Sequence, residues 1–419
     1  MIDIAVLRND RPALARSLAR RGLDVDLEAL SSLDEEIRRV RSEAESVRSE
    51  QKEAGRRIAQ LSGGEKTEAI AEMGRVSERF KDLTARADEL QERFDALWIT
   101  IPNLVDESAA DGHTDADNVE IARRGEPRAF DFEPRDHAAL GDLLGVIDTD
   151  RGAKVSGSRF GFLKGKAVML EFALVRFALE KLEAAGFTPM APPVLVREQA
   201  LFGTGFFPTD SEQVYAVPSD DLFLVGTSEV PMAAYHSDEI LDPGDLPIRY
   251  AGFSTCFRRE AGTYGKDTGG IFRVHQFDKV EMFAFVAPDL SKDEHERLLG
   301  IEEEIVSAYE VPYRIVNVAA GDLGSSAAKK YDIEAWFPAQ QAYREVTSCS
   351  NTTDFQSRRL RIRMRGERSN EYVHTLNGTA VAVGRSILTI LENHQQADGS
   401  VVIPEALRPY TGFETIEAP

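Results

Sequence analysis

Apolar residues recur with a 4-3 spacing over much of the first hundred positions. Leu33, Ile37, Val40, Ala44, Val47, Ala54, Ile58 and Leu61 fall on it, and Gln51 fills the one polar register position. After Ser62-Gly63-Gly64 the spacing resumes with Ile70, Met73, Val76, Phe80, Leu83, Ala87, Leu90, Phe94 and Leu97. Two heptad runs broken at a Gly-Gly turn predict an antiparallel coiled-coil hairpin over about 27–98. Roughly thirty residues per helix, at about 1.5 Å each, make an arm roughly 50 Å long. Its flanks are charged throughout, so it is expected to project into solvent. Taken alone, such an arm is a spacer or a dimerisation element. A small helix over 11–20 precedes it, and Pro102 closes the N-terminal domain, 1–103. Residues 104–135 are polar, acidic and Gly/Pro-containing, which predicts a linker, and a second domain is expected over 136–419.

The periodicity then changes. A helix is predicted over 164–185, with Val168, Phe172, Val175, Leu179 and Leu182 as its buried stripe and Gly186 as its stop. Three prolines in 187–196 place that segment at a sheet edge or a bend. Strands are predicted at 222–231, 311–318, 331–338 and 343–350, with a surface helix over 289–310. The last block, from Leu376, is a strand of small residues that gives way at Gly384-Arg385 to an amphipathic helix. Strands mixed with helices after a helical arm make an α+β chain.

Most of the candidate chemistry sits in 253–285. A period-2 run through Phe253, Thr255 and Phe257, with Cys256, Arg258 and Glu260 on the other face, is followed by a Gly-rich segment (261–270) and a second run from Ile271. This predicts a β-hairpin with a long mobile loop. Arg258, Arg259, Glu260, Arg273, His275, Asp278, Lys279 and Glu281 recur along it. They suit a solvated face of cross-strand ion pairs, or a rigid platform for a polyanion.

Composition narrows the classes. The chain of 419 residues carries 71 acidic and 50 basic residues, a net charge of −21. That balance argues against wholesale coating of nucleic acid, while local basic patches stay open. Cys256 and Cys349 are the two cysteines, too few and too far apart for a disulfide framework or a cysteine-rich zinc site. No apolar run of membrane-spanning length occurs, so a soluble protein of a reducing cytosol, without a membrane partner, is expected.

The arrangement 257–281 resembles motif 2 of the class II aminoacyl-tRNA synthetases, and most closely the seryl-tRNA synthetases of bacterial type. The other segments fit that family in order. The helix and proline-bearing strand over 164–196 resemble motif 1, which in the family forms the interface of a homodimer. Thr227-Ser228-Glu229, which a strand ending in a helix cap would also explain, resembles the segment that holds the α-amino group of serine. The end of the chain, around Arg385, resembles motif 3. The resemblance implies a class II catalytic domain built on a mostly antiparallel β-sheet flanked by helices.

The resemblance also implies residue roles. Thr227, Glu229, Arg258, Glu281 and Thr379 would bind serine; Thr379 stands where relatives often carry serine. Arg258, Glu260, Phe272, Val274, Glu345, Val346, Thr347, Ser348 and Arg385 would bind ATP, with Arg258 on the α-phosphate, Glu260 beside adenine and Arg385 towards the γ-phosphate. Arg258, Arg385 and Glu260 form the implied catalytic set. Glu345 and Ser348 would reach a phosphate-bound Mg²⁺, for which oxygen donors are suited; no zinc is expected. Thr352 replaces a cysteine common in relatives. The motif 2 loop would meet the acceptor end of tRNA, and the arm would grip the long variable arm of tRNA(Ser), and of tRNA(Sec) where present. Lys52, Arg56, Arg57, Arg75 and Arg79 are its candidate phosphate contacts. The implied reaction is serine plus ATP giving seryl-adenylate and pyrophosphate, then seryl transfer to tRNA. Two rivals share most of these features. One is a resistance or acceptor-switched paralogue; the other is a non-catalytic tRNA-binding relative, expected to have lost Arg258, Glu281 or Arg385.

Overall fold

The computed structural model describes residues 1–262 and 270–418. The chain forms two compact units, one of residues 3–19 and 23–101, the other of residues 1–2, 20–22 and 102 onwards.

In the first unit, α1 (Ile4–Asn9) and α2 (Arg11–Arg20) precede the long helices α3 (Leu27–Ile58) and α4 (Gly63–Trp98). The chain reverses before the glycine pair, and Gly63, at φ +63°, opens α4. Ile37, Val40, Ala44 and Val47 of α3 are buried, with Ala87, Leu90 and Phe94 of α4. The expected seam holds in the middle and slips by one residue at both ends of α4. Ala69 and Trp98 are buried there, whereas Ile70 and Leu97 are 53% and 51% exposed. Asp34 is buried in α3 because Arg8 and Arg38 neutralise it, at 2.6 and 3.0 Å. Across the helices, Gln51 donates to Ser77 (2.7 Å), and Glu43–Arg79 and Glu36–Arg86 pair at 2.6 Å. Arg79, a candidate tRNA contact, is thus engaged with Glu43 here.

The second unit is built on an eight-stranded sheet: β1 (Val119–Arg124), β2 (Thr188–Met190), β3 (Ile248–Phe257), β4 (Gln276–Val286), β5 (Tyr313–Asn317), β6 (Lys329–Phe337), β7 (Ala342–Thr353) and β8 (His374–Ala382). Their order is β1-β5-β6-β7-β8-β4-β3-β2, antiparallel except for the β2–β3 pair. Both edges carry short or proline-bearing strands, as β-edges tolerate. β1 corrects the expected linker over 104–135: residues 119–124 pair with β5. Only Ala122 of β1 packs against the core, and no residue of it is buried, so no buried face betrays it in the sequence.

Period-2 alternation gives β4 two lives. Val280, Met282, Ala284 and Val286 pack in the main core with α5 (Lys166–Ala184), α7 (Ser291–Ser307) and α9 (Val383–His394). On the other face, Phe283 and Phe285 pack with Met232 of α6 (Glu229–Ala234) and Leu360 of α8 (Phe355–Leu360), while Lys279 and Glu281 line a cavity. Two helix readings are corrected. In α5 the buried stripe runs through Leu170, Leu174, Ala178 and Leu182, leaving Phe172 59% exposed. α7 is no surface helix: Glu294, His295, Leu298, Glu302 and Ile305 are buried in it, with Glu294 paired to Arg249 at 2.5 Å. The second hairpin strand starts at Gln276 rather than Ile271, although Arg258 N–H still donates to the His275 carbonyl (2.9 Å). The expected loop lies largely in residues 263–269, outside the described residues. Among the described residues no helix is long and apolar enough to cross a membrane.

Candidate active site

The middle of the sheet, where β3, β4, β7 and β8 adjoin, floors a cavity of about 410 Å³. Thr227, Glu229, Arg258, Glu260, Phe272, Val274, Glu281, Glu345, Val346, Thr347, Ser348, Thr379 and Arg385 all line it. The structure thus brings together every site residue expected from the sequence.

Two β-bulges aim several of them. In the β6–β7 ladder Ile333 faces Thr347 while Glu334 faces Glu345, so Val346 is an extra residue. A regular strand would point Glu345 and Ser348 to opposite faces; the bulge resets the parity and both reach the cavity. In the β4–β8 ladder Val280 faces Val381 and Glu281 faces Thr379, leaving Ala380 extra. The Thr347 hydroxyl donates to the Thr379 carbonyl, joining the two strands beside both bulges.

At one end of the cavity, Glu229 Oε1 accepts from Gln356 Nε2 (2.7 Å) and Asn377 Nδ2 (2.9 Å). Gln356 is fully buried, and its own oxygen accepts from the Thr375 hydroxyl at 2.8 Å, which turns its amide towards Glu229. Burial, reinforced by Glu281, pushes the Glu229 carboxyl up to about 7, against the pull of Gln356, Lys279 and Arg258. Thr227, 1% exposed, accepts the Glu229 N–H on its hydroxyl (3.2 Å), so a local turn contact just before α6 and a place on the cavity wall coexist. Glu281, buried, is paired with Lys279 through Oε2 and accepts from the Thr379 hydroxyl at 3.4 Å.

The other charged groups form a second cluster. Arg258 Nε donates to the Gly226 carbonyl (3.2 Å), and its guanidinium lies 5.2 Å from the Phe277 ring centre. Glu260, just past the end of β3 with a left-handed φ of +50°, pairs with Arg273 at 2.6 Å. Arg385, on the first turn of α9, donates to the Glu345 carbonyl (3.0 Å) and carboxylate (3.3 Å), and sits 4.8 Å from the Phe272 ring centre. Glu345 has a side chain 40% exposed into the cavity. Burial pushes its carboxyl up, but Lys330 and Arg385 outweigh that and hold it at about 2. Glu345 and Ser348 therefore supply an ionised carboxylate and a hydroxyl, a donor set that fits a hard cation keeping part of its water.

Gln356, Asn377 and Lys330 belong to the candidate site and were not singled out for it from sequence, whereas Arg273 and Lys279 were noted there only as members of the charged run on the hairpin. Lys279 and Asn377 share strand parity with Glu281 and Thr379, a signal that was available. Gln356 reaches the site from a helix, and nothing in its local pattern announces that.

The comparisons with known proteins decide the family. Residues 1–105 match the seryl-tRNA synthetase N-terminal domain, and residues 215–394 match the tRNA synthetase class II core domain (G, H, P, S and T). The serine–tRNA ligase of Thermobifida fusca is 50% identical over 418 residues, 99% of each chain. That of Streptomyces coelicolor is 51% identical over 423 residues, 100% of this chain and 99% of the relative. The chain belongs to the seryl-tRNA synthetase family. The crystal structure of the Pyrococcus horikoshii seryl-tRNA synthetase, complexed with ATP, superposes on all of both chains with a TM-score of 0.96 at 41% identity. A Giardia lamblia prolyl-tRNA synthetase, at 16% identity and a TM-score of 0.58 over 65% of this chain, shares only the fold. As a seryl-tRNA synthetase, this enzyme is a class II ligase, and the cavity is its candidate active site.

Proposed function

We propose that this cavity activates L-serine with ATP to seryl-adenylate and pyrophosphate, and that the enzyme then passes the seryl group to the 3′ end of tRNA(Ser), and of tRNA(Sec) where the cell has it. The observation that carries this reading is the convergence of the Thr227–Glu229 pair, Glu281, Arg258 and Arg385 on one cavity. The serine ammonium is taken by Glu229 beside the Thr227 hydroxyl. Its side-chain hydroxyl is read by Glu281, with Thr379 on the same side. Its carboxylate, ionised at neutral pH, is the nucleophile and needs no general base. Arg258 holds the α-phosphate, Arg385 the far phosphates, and Glu260, Phe272, Val274, Val346 and Thr347 shape the remaining ATP site. Glu345 and Ser348 would hold Mg²⁺, whose chemistry when bound is neutralisation of phosphate charge. Catalysis is then alignment plus charge stabilisation by preset groups.

The enzyme acts as a homodimer through α5, whose Met169 and Phe172 are 51% and 59% exposed apolar side chains on its outward face. The long hairpin of the first unit serves tRNA. A cytoplasmic setting suits the two free, buried cysteines. ATP–pyrophosphate exchange across the amino acids, followed by charging of tRNA, tests the reading. Exchange dependent on serine above all others is expected; exchange driven by another amino acid, or none, refutes it.

A further inference from the structure

The wall of the cavity beyond Glu229 is a stretch of chain with no strand or helix of its own. Gly324, Ser325, Ser326 and Ala327 line the cavity there. An irregular segment pinned by buried residues at both ends, Leu323 and Ala327, must find partners for its main-chain carbonyls. Here five successive carbonyls, from Leu323 to Ala327, are taken by two residues from far back in the chain. Arg21 Nη1 donates to the carbonyls of Leu323 (3.1 Å) and Gly324 (3.3 Å), and Arg21 Nη2 to that of Ala327. Asn103 N–H donates to the Ser325 carbonyl (2.8 Å) and Asn103 Nδ2 to that of Ser326 (2.9 Å). Arg21 Nε ties the two together through the Asn103 carbonyl at 3.1 Å. Arg20–Gly22 and Asn103 lie in the same compact unit as the cavity.

Arg21 is an unusual residue for this duty. It is 8% exposed, and among the described residues it makes no ion pair. Buried charges are ordinarily matched by an opposite charge, and this one is matched by carbonyl dipoles alone. Burial lowers its pKa only to about 10, so it stays cationic at neutral pH. A planar guanidinium reaches several carbonyls in fixed directions, which an ammonium cannot do. The loop it fixes is linked to the Glu229 end of the cavity through residues 204–205 and Gln356. The Ser325 hydroxyl donates to the Gly205 carbonyl (3.1 Å), and Gln356, the amide on Glu229, also donates to the adjacent Thr204 carbonyl (3.4 Å).

We propose that Arg21 is a positioning residue for amino-acid binding: with Asn103 it sets, from outside the cavity, the 323–327 wall against which the substrate sits. The inference rests on the proposed binding of serine beside Glu229. It gives the N-terminal segment a part in the first half-reaction, besides the tRNA role of the long hairpin.

The test is ATP–pyrophosphate exchange by the full-length enzyme and its R21M and R21K variants, with serine KM, ATP KM, kcat and thermal stability measured together. R21M should raise serine KM by about 10- to 100-fold, the range for a wall displaced by roughly 1 Å, and leave ATP KM and kcat within about threefold. R21K, which keeps the charge but not the fork, should fall between. A merely structural role would lower stability and the active fraction, hence apparent kcat, and leave serine KM alone. That result in a folded R21M overturns the inference. Should R21M fail to fold, R21K decides: a raised serine KM supports the inference and an unchanged one overturns it. A wild-type enzyme without serine-dependent exchange would overturn the functional reading as well, whereas normal wild-type exchange with unchanged KM in the variants overturns this inference alone.

Discussion

Replacing Glu229 by glutamine should make the protein more stable and unable to hold serine. In the folded chain the Glu229 carboxyl is pushed from its ordinary 4.5 to about 7, chiefly by burial. Between those values the folded state holds a proton that the unfolded state has lost. The stabilisation is therefore complete below pH 4.5 and is lost as pH rises through 7. At about 1.36 kcal/mol per pH unit, ionised Glu229 costs the fold ~3 kcal/mol at pH 8. The amide oxygen of glutamine can still accept from Gln356 and Asn377, so Glu229→Gln removes the charge and keeps the hydrogen bonds.

Denaturation of both proteins from pH 5.5 to 8 checks this. The variant's advantage should widen by ~2 kcal/mol across that window as the wild type ionises Glu229. Serine kcat/KM should meanwhile fall by about 10² or more in the variant, because a buried partner of the substrate ammonium has lost its charge. In the wild type, serine KM should climb about tenfold per pH unit below 7, where Glu229 becomes neutral. A variant less stable than wild type at pH 8, or a wild-type serine KM flat between pH 6 and 8, would refute the reasoning.

Other perturbations have separate readouts. Glu281→Ala should erode serine-over-alanine discrimination, since the carboxylate proposed to read the substrate hydroxyl is gone; an unchanged ratio of kcat/KM for the two counts against it. Arg258→Ala and Arg385→Ala should each slow exchange by about 10² or more, with lysine a poor substitute; near-normal exchange in both would mean the phosphates lie elsewhere. Deleting 44–78 with a short Gly/Ser bridge joins the paired Glu43 and Arg79 and keeps Asp34 and its salt bridge with Arg8. Exchange should persist, tRNA charging should fall and its salt dependence should flatten; undiminished charging would leave the hairpin a spacer.

The parts of the fold legible in the sequence are those where burial imposes a period. The heptads of α3 and α4 and the alternation of β4 predicted real elements because one face of each is buried. The seam slipped at Ile70 and Leu97 because a 3.5-residue count drifts against a helix of 3.6 residues per turn away from the middle of a run. α5 misled because it is apolar almost all round, so Phe172 looked as buried as Leu174. β1 was invisible because an exposed edge strand needs only main-chain pairing. The bulges at Val346 and Ala380 leave no trace in a hydrophobic pattern, yet the first decides which way Glu345 and Ser348 face. The candidate site residues came through resemblance in motif order, whereas Gln356 and Arg21, which touch Glu229 and the 323–327 segment, were given no role by it.

The charges of the cavity explain how one site can take a zwitterion and a polyphosphate together. Glu281 is paired with Lys279, Glu260 with Arg273, and Glu345 with Lys330 and Arg385. Glu229, by contrast, is met by two neutral amides and Arg258 by a main-chain carbonyl and a ring. Paired charges are held in place and contribute little net field, whereas these two leave one negative and one positive charge for a ligand. A substrate ammonium on Glu229 offsets the desolvation that raises its pKa, and a phosphate on Arg258 adds a directly paired anion, which no carboxylate among the described residues supplies. On the proposed reading, serine and the α-phosphate at those two points would bring the serine carboxylate towards phosphorus without any group having to move a proton. A site organised in this way should lose rate when an arginine is removed and lose affinity when Glu229 is neutralised, and the separation of those two effects is what the kinetics must show.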